Sequence, residues 1–215
     1  MGLFDKKTCA FCGEQSGIIG GLFGENLVGG AYMCGECRQK CTPNPNLNFG
    51  AMTVEDVKAN MAVAEANRKK GTSEFLATHK LQKGPYRDYP LIEVDTNHGW
   101  LMQTEEKNGW VFNLDDIFYF NMDLTFAPLE EGESFSVYTD DYPELPRIPY
   151  GMRVTDASLV LWFADSELGV DKLALRLLGF APGEDDVRSA YLCAHEFFEI
   201  MKSYRIAQKK QCCKC

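Results

Sequence analysis

The chain is short of histidine, of long apolar runs and, over most of its length, of positive charge. It has three histidines in 215 residues, His79, His98 and His195, which leaves imidazole chemistry few places to reside. No Gly-x-Ser-x-Gly elbow accompanies them, so a hydrolytic triad has no support. No stretch approaches the roughly 18 uninterrupted apolar residues of a membrane-spanning helix; the longest candidate is the short, mostly apolar run from Ala157 to Ala164. Lys6 and Lys7 are not followed by the apolar segment of a secretory leader. A soluble, cytoplasmic protein is expected.

Charge is unevenly placed within the total of −9. Residues 1–52 balance four bases against four acids and residues 53–70 carry one excess base, so residues 71–215 carry −10. Phosphate-rich partners are held by clustered lysine and arginine. Neither nucleic acid nor an anionic membrane is therefore expected as a partner.

Cysteine, by contrast, is plentiful. Nine cysteines in a chain expected to meet a reducing compartment are metal ligands or spare thiols before they are a disulfide framework. Four of them form Cys9-x-x-Cys12 and Cys34-x-x-Cys37, separated by 21 residues. Two residues between paired cysteines let both sulfurs reach one ion, and Gly13 and Gly35 suit the dihedrals of such turns. Two pairs complete a tetrahedron without an open position, which points to a structural Zn2+ rather than a catalytic metal. Iron is the chemical alternative, because four thiolates accept both. A thioredoxin-like redox pair uses a single Cys-x-x-Cys at a helix start, and here two occur together.

Beyond this segment, Thr42-Pro43-Asn44-Pro45-Asn46 has linker composition. Thr53-x-x-Asp56 opens a helix whose apolar stripe is Val54, Val57, Met61 and Ala64, closing at Lys69-Lys70-Gly71. From about residue 75 the period changes to two. Leu91 to Asp95 and Trp100 to Thr104 flank the turn Thr96-Asn97-His98-Gly99. Trp110 to Leu114, Ile117 to Met122, Phe135 to Thr139, Leu159 to Phe163 and Leu173 to Leu177 read as further strands, with a proline-rich loop over residues 140–151. A terminal helix from Asp185 to Gln208 carries Val187, Tyr191, Ala194, Phe198 and Met201 on one stripe, widened by Phe197, Ile200 and Tyr204. The expected class is α+β: a small zinc ribbon plus an antiparallel barrel or sandwich with a C-terminal amphipathic helix. The expected division is 1–45 for the ribbon, 46–72 for linker and helix, 73–209 for the β-domain and 210–215 for a cysteine-rich tail.

The opening from Met1 to the Cys9–Gly13 turn, the run from Tyr32 to Cys41 and the segment Leu114-Asp115-Asp116-Ile117 together resemble a bacterial family of unknown function. In that family a four-cysteine zinc-ribbon-like domain precedes a β-rich domain similar to pleckstrin-homology-like (PH-like) modules. The resemblance implies zinc on Cys9, Cys12, Cys34 and Cys37 and suggests a PH-like fold. It carries no activity, and Cys41 is an extra thiol that a four-ligand site does not need.

Other features read as ordinary structure. His195-Glu196-Phe197-Phe198-Glu199 starts like a zinc-protease helix but lacks the second histidine. The glycines at 17, 20, 21, 24, 29 and 30 have no Lys-Ser/Thr after them and serve turns rather than a phosphate cradle. The acid pairs Asp115-Asp116, Glu130-Glu131, Asp140-Asp141 and Asp185-Asp186 suit solvated turns and a helix start. The dense rings Trp110, Phe112, Phe118, Tyr119 and Phe120 must face both sides of a strand, some meeting a helix. The tail Cys212-Cys213-Lys214-Cys215 lacks the aliphatic pair of a prenylation signal, and Lys6 stands where a myristoylation signal needs Ser or Thr. A non-enzymatic adaptor with a protein or peptide partner is expected. The alternatives are an enzyme with an unrecognised site in the β-domain and a nucleic-acid-binding ribbon, the latter opposed by the ribbon's zero net charge.

Overall fold

The computed structural model describes residues 6–16, 24–82, 90–104 and 109–212. Lys107, Glu105, Glu106 and residues 213–215 of the cysteine-rich tail lie outside the described residues. The chain divides into two compact units, one spanning Met1–Lys70 with Glu167–Val170, the other Gly71–Ser166 with Asp171–Cys215. The described strands form three open antiparallel sheets, and no described helix is long and apolar enough to cross a membrane.

In the first unit, β1 (Glu25–Asn26) pairs with β2 (Tyr32–Met33). Gly29 and Gly30 between them take φ of 81° and 80°, the left-handed conformation that glycine adopts without steric cost. The four-residue helix α1 (Gly35–Arg38) follows directly. Helix α2 (Val54–Lys69) begins at a complete capping box. The Asp56 N–H donates to Thr53 Oγ1 at 3.2 Å and the Thr53 N–H donates to Asp56 Oδ2 at 2.9 Å, satisfying two otherwise orphaned donors. Val57 and Ala64 are fully buried on the expected stripe. The helix runs on into a wider π turn over Lys70–Glu74 instead of closing at Gly71.

The supposed linker is fastened down: Asn60 accepts from the Thr42 N–H at 2.9 Å and donates to Thr42 Oγ1 at 3.0 Å. Arg68 donates to the carbonyls of Gln39 and Lys40. Lys70 Nζ meets Glu167 Oε1 at 2.6 Å, tying in the segment contributed from residues 167–170.

In the second unit, β3 (His79–Gln82), β4 (Pro90–Asp95), β5 (Trp100–Gln103) and β6 (Val111–Asn113) form one sheet in sequence order. A second sheet contains β7 (Ile117–Pro128), β8 (Met152–Phe163) and β9 (Lys172–Arg176). Both are open, so the described strands do not close into a barrel. Along β8, Ala157, Leu159, Leu161 and Phe163 are buried on alternate positions, as period two requires. The expected strand from Phe135 to Thr139 is not one. Phe135, Val137 and Thr139 still alternate as half-buried residues, but the segment pairs with α3 (Glu184–Cys212) through side chains: Ser136 N–H to Glu184 Oε1, and Arg188 to Ser136 O. The Ser136 N–H and C=O therefore find partners without a ladder. On α3 the buried stripe includes Val187, Tyr191, Ala194, Phe197, Met201 and Tyr204. Phe120 meets Phe197 and Phe198 edge-on, Phe112 stacks on Phe163, and Phe118 and Tyr119 remain exposed.

The β4–β5 turn is organised by Asp95, whose side chain is completely buried. Its carboxylate accepts from the Asn97 and His98 N–H groups, from the Leu76 N–H at 2.9 Å, and from His98 Nδ1 at 2.7 Å. Burial acts to raise its pKa, but the His98 imidazole and the Leu76 and His98 N–H groups outweigh it and hold the carboxyl below the usual range. A depressed folded pKa stabilises the unit above the unfolded value of about 3.9. That contribution is lost as the pH falls through the folded value. Asp95→Asn is expected to cost about 2 kcal/mol near neutral pH and to flatten the acid limb of stability. Urea denaturation followed between pH 2 and 7 checks this, and an unchanged midpoint at pH 7 would refute it.

Candidate metal centre

Two turns build the site. In the first, Gly13 N–H donates to Cys9 O at 3.0 Å and Cys9 N–H donates to Glu14 O at 2.9 Å, with Gly13 at φ 76°. The second begins where β2 delivers Cys34, and α1 turns back to place Cys37. Here Gly35 is helical, so the unusual dihedral expected for it occurs only at Gly13. The turns are joined by the Ala10 N–H donating to Tyr32 O at 2.8 Å and by a parallel bridge between Cys9 and Tyr32. Gly24 gives way to the same tyrosine: a Cβ there would overlap the Tyr32 hydroxyl.

This arrangement brings the sulfurs of Cys9, Cys12, Cys34 and Cys37 within 4.8 Å of one another. The Cys12 and Cys34 sulfurs lie 3.8 Å apart. A tetrahedron with metal–sulfur bonds of about 2.3 Å has edges of about 3.8 Å, so the spacing suits a four-thiolate ion and is far beyond the roughly 2.05 Å of a disulfide. The four cysteines are therefore placed to bind a metal ion.

The thiols of Cys9, Cys37 and Cys12 do not ionise alike. Burial alone would raise Cys9, but the backbone N–H groups of Cys12, Cys34 and Phe11, with the Cys12 thiol, bring it down to about 6. The Cys34 N–H reaches its sulfur at 3.4 Å. For Cys37, burial and then the neighbouring sulfurs of Cys34, Cys12 and Cys9 push the thiol far up. Cys12 is also raised: the Glu14 N–H lowers it, but desolvation and the Cys9 and Cys34 sulfurs outweigh that donor. One thiolate thus forms readily and opposes those at Cys12 and Cys37, an opposition that a bound cation would relieve.

Cys9 and Cys37 are each only 2% exposed and belong to a small apolar cluster with Leu27, Met33, Cys41, Phe49 and Val57. Cys12 is exposed and Cys34 half-buried. Cys41 stays outside the four-sulfur group, its thiol raised by burial against the lowering influence of Arg68 and Arg38.

The remaining candidates do not converge. His98 pairs with Asp95 and stacks on Trp100, while His195 pairs with Glu144 beside the ring of Tyr142. His79 borders an open groove of about 440 Å³ together with Thr96, Asn97, Ile200, Ser203, Tyr204, Ala207 and Gln208, none of them a carboxylate. Asp95 was the organising residue not singled out; its place just before a Thr-Asn-His-Gly turn is the signal that an Asx turn leaves. Comparison of the chain with protein-family models, with curated proteins and with solved structures found no match.

Because Phe49 and Val57 pack in the same cluster as two of the ligands, loss of metal should loosen more than the two turns. Chelation is expected to accelerate hydrogen exchange through residues 9–57 while protection in β4, β8 and α3 persists. Exchange that rises equally in β8 would show the two units to be thermodynamically inseparable.

Proposed function

We propose that the chain is a non-enzymatic, cytoplasmic binding module in which one structural zinc on Cys9, Cys12, Cys34 and Cys37 supports a ribbon-like unit, and a PH-like unit of the same chain receives a protein or peptide. The observation that carries the zinc assignment is the convergence of the four sulfurs within 4.8 Å. Four thiolates fill the tetrahedron and leave no position for substrate, which favours support over catalysis. The PH-like assignment draws on the four-stranded and three-stranded antiparallel sheets followed by one long helix.

A protein partner is favoured over a phosphate-bearing one by how the bases of the second unit are engaged. Arg147 faces Asp140, Arg153 faces Glu133, Arg176 faces Asp156, and Arg188 faces Glu184 and Asp185. These exposed pairs add little stability, but each occupies a guanidinium that an anionic head group would need. Lys172 is engaged over the Trp162 ring at 5.1 Å. The open edges of the two sheets offer backbone donors and acceptors to an added strand.

Protein purified without added metal should contain about one equivalent of zinc by elemental analysis, and Cys9→Ser should reduce that to background; metal-free protein under reducing conditions would sink the assignment. The same preparation should not co-sediment with phosphoinositide-containing vesicles at low salt, where electrostatic binding is strongest. Salt-sensitive binding that Arg153→Glu removes would instead make the second unit a membrane adaptor.

A further inference from the structure

We propose that Cys12 and Cys34 form an oxidation site, at which a peroxide converts the two thiolates into a disulfide and expels the metal. The inference rests on the zinc assignment above and adds a chemical reactivity to it. Its basis is the uneven burial of the four sulfurs. Cys9 and Cys37 are sealed in the apolar cluster, whereas Cys12 is exposed, Cys34 is half-buried, and their sulfurs are 3.8 Å apart across the two turns. A small polar oxidant approaching from solvent meets Cys12 first, with Cys34 as the adjacent open partner.

The step balances with hydrogen peroxide as the two-electron oxidant. The Cys12 thiolate, already deprotonated by the metal, attacks one peroxide oxygen; the O–O bond breaks, leaving hydroxide and a Cys12 sulfenic acid. The Cys34 thiolate then attacks the Cys12 sulfur and displaces a second hydroxide as the S–S bond forms. The two sulfurs together lose two electrons, the peroxide gains them, and two protons from solvent convert the hydroxides to water. The sulfurs must close from 3.8 Å to about 2.05 Å. Only Cys9 and Cys37 then remain as ligands, and zinc leaves to solvent.

The choice of pair has a structural consequence. A Cys12–Cys34 disulfide joins the same two turns that the metal joined, so the ribbon stays tethered while empty and reloads after reduction. Disulfides within Cys9–Cys12 or Cys34–Cys37 would leave the turns joined only by their backbone contacts to Tyr32. Cys41 and Cys193 are buried and shielded from the oxidant, and burial pushes the Cys193 thiol up to about 12, where little thiolate exists.

The test uses full-length, zinc-loaded protein treated with a modest excess of hydrogen peroxide, with released zinc read by a metallochromic indicator and linkages by non-reducing peptide mapping. Zinc release in step with one Cys12–Cys34 disulfide per chain is expected, and reductant plus zinc should restore the original metal content. Cys193→Ala, in the second unit, should release zinc at the parent's rate. A dominant linkage within either Cys-x-x-Cys pair, or oxidation of other thiols while zinc is retained, overturns the proposal and leaves the zinc assignment standing. Protein that holds no zinc before peroxide is added overturns that assignment and this step together.

Discussion

Four thiols confined within 4.8 Å of one another impose a charge problem that the polypeptide alone does not solve. Backbone N–H groups can lower one of them, and they do so at Cys9, but every thiolate formed makes the next harder to form. A divalent cation removes the conflict at one stroke. Because Cys9 and Cys37 are also members of the apolar cluster around Met33, Phe49 and Val57, an ion bound by the four sulfurs would also anchor that cluster. Structural zinc supplies on the order of 10–16 kcal/mol in small domains, several times the roughly 1.5–3 kcal/mol from burying one large apolar side chain. The first unit has few such side chains, so on the proposed zinc assignment the ion would supply the larger share.

The second unit solves a different problem by different means. Its core is extensive enough to need no ion, with Leu91, Ile92, Leu101, Leu159, Leu161, Tyr191 and Phe197 essentially inaccessible. Here the constraint is local: a buried carboxylate, Asp95, is tolerable because four donors converge on it. In the first unit four thiols are gathered where a cation could balance them, and in the second a carboxylate is buried to shape a turn. Both follow from the rule that a charged group leaves water only where the protein supplies its partners.

Where local chemistry was decisive, the sequence could be read directly. The capping box at Thr53 and Asp56 and the Thr96–Gly99 turn between two alternating strands appear as expected, as does most of the α3 stripe, in which Phe197 rather than Phe198 is fully buried, because each is determined within a few residues. The two cysteine turns were legible for the same reason, and their convergence followed from metal geometry. The failures lie where a distant partner decides. Phe135 to Thr139 alternates like a strand, yet its backbone is engaged by Glu184 and Arg188 far along the chain, a preference that alternation does not encode. Similarly, Thr42 to Asn46 has the composition of a linker, but its first residue, Thr42, is held by Asn60, whose role depends on the rotation of α2. Closure of the strands into a barrel could not be inferred from period two, which specifies faces and leaves sheet topology open.

The burial of the four sulfurs separates two properties that a metal site usually combines. Support requires ligands embedded in the core, and Cys9 and Cys37 meet that need; reactivity requires sulfur within reach of solvent, and Cys12 and Cys34 meet that one. The division arises from the chain's path. The first ligand of the opening turn lies against β2 through the Cys9–Tyr32 bridge, while the turn itself carries Cys12 outward. The second pair is reversed, since β2 delivers Cys34 at the surface and α1 carries Cys37 inward. One inner and one outer ligand therefore come from each turn. A covalent bond between the outer pair preserves the connection between turns, whereas bonding an inner sulfur to its outer neighbour would leave only the backbone contacts to Tyr32. Four sulfurs arranged with all members equally buried would offer the metal the same tetrahedron without this distinction.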